Sequence, residues 1–428
     1  MRKMSVLVFC LCCSVFSGRA QNLISLNDYL RQARQAYQAK DYAAYFTAMQ
    51  AVVQLRPDNP NLKYNFAGAN ALAGKNDEAL RLLSQLAEMG LVYDAAADED
   101  FTSIKALEAY KNILKKFDQN KTPNGFSTVA FKLPEKDLIT ESVAYDPKTA
   151  TFYVSSVHKR KIVSRNKKGE IRDFATRQDG LWAALGMKVD ANRRVLWVCS
   201  AAVPEMQEYQ KAEEGRSGVF AFDLKTGKPI KQYLLANGAP PHVLGDLTLS
   251  AQGEVYISDS QTPALYRISP EKNELEVFLT SELLRSPQGL ALSDDEKFLF
   301  VADYSAGLFV VELATKMITK ISTAENVAFT TVDGMYFYKN SLLAIQNGFN
   351  PQRLVRFFLN KTFDRIEGYE TIAANHPDFN EPTLGVLVKN NFYFVANSQW
   401  GSFNKDKTIF SLDKLQEPII LQTKLEKK

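Results

Sequence analysis

The sequence predicts a mainly β fold, a six-bladed β-propeller preceded by a small α-helical domain. Two observations predict it: a change of hydrophobic period near residue 120, and six related segments after that change. The segments are "TESVAYDPKTATFYVSSV", "LGMKVDANRRVLWVCSA", "GDLTLSAQGEVYISDS", "PQGLALSDDEKFLFVADYS", "VDGMYFYKNSLLAIQNG" and "PTLGVLVKNNFYFVANS". Each reads as two apolar, β-branched or aromatic strands around a polar turn. One equivalent place is held in turn by Glu141, Leu185, Gly245, Gln288, Asp333 and Thr383, at spacings of 44, 60, 43, 45 and 50 residues. Each interval has room for four antiparallel strands, the length of one propeller blade.

The segments before them follow a period of 3.6. Over "LNDYLRQARQAYQAKDYAAYFTAMQAVVQLRPDNP" apolar and small residues recur three and four apart, and "RPDNP" is a strong stop. "AKDYAA" is echoed by "GKNDEA" after 35 residues, counted from Lys40 to Lys75. That interval is close to a tetratricopeptide period. "AKDYAAYFTAMQAVVQLRPDNP" resembles a tetratricopeptide unit, which implies antiparallel helix pairs and a protein partner. Two to three such units are too few for a free-standing solenoid, so the array is expected to pack on its neighbour. The expected boundaries are a helical domain over 21–118, a polar linker over 119–125 ("QNKTPNG") and a propeller over 126–428.

Residues 1–20 read as a signal peptide, with basic "MRKM", apolar "SVLVFCLCCSVF" and a small residue before Gln21. An exported, periplasmic or extracellular protein is expected. Three of the four cysteines fall in that segment, leaving Cys199 as a lone thiol in "VLWVCSA". Fifty-two basic residues stand against 48 acidic ones, too even a balance to argue for nucleic acid. No later stretch reaches the roughly 18 apolar residues that a membrane span needs.

Inner strands of a propeller line its central channel, so equivalent positions converge. Glu141, Gln288 and Asp333, with Asp246 one residue past its place, would form an oxygen-rich cage suited to calcium or a similar divalent cation. From about Phe126 onward the chain resembles the gluconolactonase/regucalcin (SMP-30) propellers. That resemblance rests on "ITESVAYDP" with Glu141 and "TTVDGMYF" with Asp333. It implies one divalent metal held by Glu141, Asp333 and the residue of a "PNG" turn, here "PQG" with Gln288. A substrate-contacting "ND" pair is "GD" here, keeping Asp246 and losing the amide at Gly245.

The resemblance further implies a metal-dependent lactonase or esterase. Asp333 would be ligand and base, and Asp246 substrate contact or alternative base. His242, in "PPHVLGD", is a candidate substrate contact at the channel mouth. The competing expectation is a non-catalytic propeller that binds a small ligand while its helices dock a protein. Asp259, Asp303, Asn347 and Asn397, recurring at second-strand ends, read as turn residues. Trp182 and Trp400 are candidates to line a pocket, though aromatic residues in blades are more often core, and Ala201–Gly218 reads as a loop over one face.

Overall fold

The computed structural model of the chain describes residues 25–236 and 241–426; the expected signal peptide lies outside them. Five α-helices come first: α1 (Leu26–Gln38), α2 (Tyr42–Leu55), α3 (Pro60–Leu72), α4 (Asn76–Glu88) and α5 (Glu108–Asn120). Their starts are set locally. Ser25 caps α1 and exchanges hydrogen bonds with Asp28, Asp41 caps α2 through Ala44 N–H, and Asn59 caps α3 ahead of Pro60. The echoed "KD" and "KND" turns separate α1 from α2 and α3 from α4, as expected of a repeat.

Six antiparallel sheets follow. Blade one covers Thr140–Ala175, blade two Ala183–Leu234, blade three Leu244–Thr280, blade four Pro287–Lys320 and blade five Val332–Ala374. Blade six takes three strands from Gly385–Val388, Asn391–Val395 and Ile419–Lys424. Its outermost strand is Ser127–Lys132, from the start of the propeller. This pairing of chain ends closes the ring, so that no blade is left with an unpaired neighbour. The expected linker is partly structured: α5 runs to Asn120, and Asn124–Gly125 adds a short strand to the edge of blade five.

Close approach between blades explains one glycine of the repeat. A Cβ at Gly289 would lie 2.5 Å from Met335 N and 2.6 Å from Asp333 O, the backbone of the next inner strand. The "PQG" glycine therefore lets blades four and five touch.

The helical region docks on blades four and five. Val92 N–H donates to Asn350 O at 2.7 Å, Lys320 pairs with Asp58 at 2.5 Å, and Asn61 Nδ2 donates to Gly348 O at 3.3 Å. Ala328 and Phe349 of the propeller join the apolar core of α3–α5. Arg353 is 2% exposed and donates to Gln346 Oε1 and to Met89 O, the carbonyl just beyond α4. A cation there complements the negative end of the helix, and burial lowers its pKa to about 10. The expectation that the helices pack on the propeller is met by this junction.

Candidate functional site

The inner strands converge on a cavity of about 230 Å³ at the axis. Blade one contributes Glu141, blade two Leu185 and Val203, and blade three Val243, Gly245, Asp246 and Ser260. Blade four contributes Gln288 and Tyr304, blade five Asp333 and Asn347, and blade six Leu384 and Trp400. Larger hollows, of about 310, 360 and 560 Å³, lie at the helical junction; of these only the first is lined by carboxylates, Asp58, Glu78 and Glu325, and none of the three comes from an inner strand. The axial cavity is the one where acidic groups from different blades meet.

Glu141 and Asp333 each have one oxygen held by the protein. Trp400 Nε1–H donates to Glu141 Oε2 at 2.7 Å, and Asn347 Nδ2–H donates to Asp333 Oδ2 at 2.9 Å. Burial pushes the Glu141 carboxyl well above its usual range, and the charge of Asp333 pushes it further. Asp333 is pushed up to about 7, chiefly by burial and then by the charges of Asp246 and Glu381, against the opposing Asn347 hydrogen bond. Two such carboxylates are ionised together only if a cation lies between them; otherwise a proton is held by one of them.

Gln288 departs from the "PNG" pattern, and its surroundings account for the longer side chain. A Cβ added at Gly245 would stand 3.6 Å from Gln288 Oε1. The carboxamide thus extends to ordinary contact distance from position 245, where this chain carries no side chain. Its Nε2–H points to Ser286 Oγ at 3.4 Å, which leaves Oε1 free to accept.

Asp246 reaches the cavity with its carboxylate already engaged. Its side chain is 2% exposed, Oδ1 lies 3.2 Å from Lys188 Nζ, and Oδ2 accepts Leu290 N–H at 3.4 Å. His242 does not line the cavity. The chain turns there, so Val243 faces inward while His242 Nδ1 lies 2.7 Å from Asp259 Oδ2 and its ring approaches Tyr266. Thr383 also stays off the cavity wall; its Oγ1 donates to Glu141 O at 2.7 Å and ties blade six to blade one.

The second-strand ends separate two roles that the sequence merges. Asp259 pairs with Leu244, Asp303 with Pro287 and Gln346 with Val332 across the inner two strands, so these three are equivalent. Each holds the chain entering its own blade: Asp259 accepts Val243 N–H, Asp303 accepts Arg285 and Ser286 N–H, and Gln346 donates to Ala328 and Thr330 carbonyls. The next residue in each blade, Ser260, Tyr304 and Asn347, lines the cavity. Side chains alternate along a strand, and aligning Asn347 with Asp303 shifts the register by one. Asn397 has the turn role read from the sequence, accepting Ile419 N–H at 2.7 Å and donating to Glu417 O.

Tyr304 O–H donates to Asn347 Oδ1 at 3.0 Å, which sets the amide so that its Nδ2 meets Asp333. Gly348 is required beside it, since a Cβ there would lie 2.4 Å from the Tyr304 hydroxyl. Its carbonyl is the one bonded by Asn61, so the helical region abuts the rim of the cavity.

Across the cavity mouth, the excursion of blade two meets the long third-strand approach of blade six. Lys407 pairs with Glu205 at 2.6 Å, and Phe403 packs on His158. Trp400 is carried on that segment, which makes it a site residue, whereas Trp182 is core, packed edge-on to Phe220. The blade-two excursion was expected over one face; its partner from blade six was not foreseen.

No protein-family model and no curated protein matches the chain. Among solved structures it is similar to virginiamycin B lyase from Staphylococcus aureus, at 15% identity over 68% of this chain and 83% of that one, with a TM-score of 0.46. It is similar to a gluconolactonase from Xanthomonas campestris, at 14% identity over 66% and 85% with a TM-score of 0.44. It is also similar to the PQQ-bound aldose sugar dehydrogenase from Streptomyces coelicolor, at 13% identity over 70% and 99% with a TM-score of 0.48. At such values the likeness says nothing about chemistry, and the propeller assignment stands on the six sheets themselves.

Proposed function

We propose that the chain is an exported hydrolase that opens a small lactone or ester in the axial cavity with the help of one divalent cation, calcium by preference. The observation that carries this reading is the meeting of Glu141 and Asp333, both with raised pKa and both with one oxygen free, in one axial cavity. Oxygen donors suit a hard cation. Glu141, Asp333 and the free Oε1 of Gln288 fit as its protein ligands. Among the described residues no group of three or more His, Cys, Asp and Glu side chains is placed to hold a metal, and the reading therefore requires a neutral oxygen such as that of Gln288 beside the two carboxylates.

The cation would polarise the ester carbonyl. Asp333 Oδ1 is the base: it takes a proton from water as the water oxygen adds to the acyl carbon. The acyl–oxygen bond then breaks, and the proton passes to the departing alkoxide. Asn347 holds Asp333, and Trp400 holds Glu141. Asp246 is assigned as the charge partner of Lys188, which keeps it from acting as base. The helices, tetratricopeptide-like in spacing, brace the rim through Gly348.

The test is a panel of lactones and esters given to metal-stripped protein, with and without added calcium, beside Asp333→Ala. Calcium-dependent turnover that Asp333→Ala lacks supports the reading. Turnover indifferent to chelation and to Asp333→Ala would overturn it.

A further inference from the structure

The axial cavity has two unlike walls. Blades two and three face it with Leu185, Val203 and Val243, and blade six adds Leu384. Leu185 is 4% exposed and Leu384 2%, so these side chains are seated in the blades and offer their ends only to the cavity. Blade three has no side chain at Gly245, and the Gln288 carboxamide that extends towards it comes from the polar side. Most of the oxygen and nitrogen groups, Gln288, Tyr304, Asp333 and Asn347, lie on blades four and five, with Glu141 on blade one; blade three adds Asp246, already engaged by Lys188, and Ser260, whose hydroxyl donates to Val243 O.

Resting on the hydrolase reading, we propose that the substrate is a small alkyl-substituted lactone or ester rather than a polyhydroxylated sugar lactone. Its carbonyl faces Glu141, Gln288 and Asp333, and its alkyl substituent lies against Leu185, Val203 and Val243. A sugar lactone carries hydroxyl groups around its ring, and those turned to Leu185, Val203 and Val243 would be buried without partners. Each such hydroxyl lowers binding by roughly tenfold or more. An alkyl chain gains from the same wall, by roughly threefold to fourfold for each buried methylene. The cavity volume of about 230 Å³ sets a small size limit.

The experiment compares γ-hexanolactone with glucono-δ-lactone as substrates of the full chain in calcium. Alongside, calorimetry measures binding of the two corresponding lactams, which resist hydrolysis. Wild type is expected to prefer the alkyl compound by at least about tenfold in both kcat/KM and affinity. Val243→Thr, which keeps the shape of the side chain and adds a hydroxyl, should narrow that preference severalfold with an unchanged melting temperature. Equal or reversed preference in turnover and binding would overturn this inference and leave hydrolysis standing. Preferential lactam binding without turnover of either lactone would sink hydrolysis and retain the ligand class. Absence of both turnover and binding would overturn both.

Discussion

Blade two and blades four and five are built on one four-stranded plan, yet they present opposite chemistry to the shared channel. The first offers Leu185 and Val203, the pair offers Gln288, Tyr304, Asp333 and Asn347, and blade three between them is mixed, with Val243 beside Asp246 and Ser260. Strand geometry sets where a side chain arrives and leaves its chemistry open, because each inward position is a separate choice in an otherwise repeated unit. The repeat is the scaffold, and the departures from it make the site.

The largest expected effect tests the polar side. Asp333→Ala should lower calcium-dependent turnover by roughly a thousandfold or more, since it removes a proposed ligand and the base together; steady-state kinetics on the best substrate of the panel measures this. Leu185→Ala, on the facing side, should do the reverse. It should cost about 2–4 kcal/mol of stability in denaturant unfolding and leave calcium affinity unchanged.

A narrower contrast lies within the polar pair, between neighbours in the repeat. Asp303 accepts N–H groups from Arg285, Ser286, Ser305 and Ala306. Asp303→Ala should therefore cost about 2–3 kcal/mol of stability with the site intact. Asn347→Ala should cost about 1–2 kcal/mol and weaken calcium binding roughly tenfold, because Tyr304 loses its acceptor and Asp333 its orienting donor. Denaturant unfolding and calorimetry on the two variants distinguish them. If both variants lose stability and neither loses calcium, the one-residue register argument fails.

Much of the fold was legible in the sequence because period and spacing are local properties. A period of 3.6 before residue 120 and of 2 after it, with six copies of one strand pair, is enough for a helical region and six blades. Glu141, Gln288, Asp333 and Asp246 were legible as a converging set for the same reason: they occupy one place, or the next, in the repeat. Trp400 was not, because it rides on a segment that belongs to no repeat and enters the site by crossing towards blade two. Asn347 was hidden by its likeness to Asp303, which sits one position earlier in register and faces the other way. The ring closure through Ser127–Lys132 pairs the two ends of the propeller, and no periodicity reports a contact between ends. The engagement of Asp246 with Lys188 depends on the distance between the inner strands of blades two and three, which sequence order does not contain.

The central claim is that two carboxylates are forced together at the axis and are relieved by a proton or by a cation. Thermal unfolding from pH 4 to pH 8, with chelator and with excess calcium, tests it most directly in wild type and Asp333→Asn. An aspartate in the unfolded chain releases its proton near pH 4, whereas Asp333 in the fold holds its proton up to about pH 7. The folded state binds the extra proton inside that window, so stability is highest below it and falls as pH rises through it, by on the order of 1 kcal/mol per pH unit. The account predicts that this fall is present in chelator, is reduced in Asp333→Asn, and is offset by calcium at pH 7 and above in wild type only. Identical pH profiles for the two proteins, with no stabilisation of wild type by calcium, would contradict it.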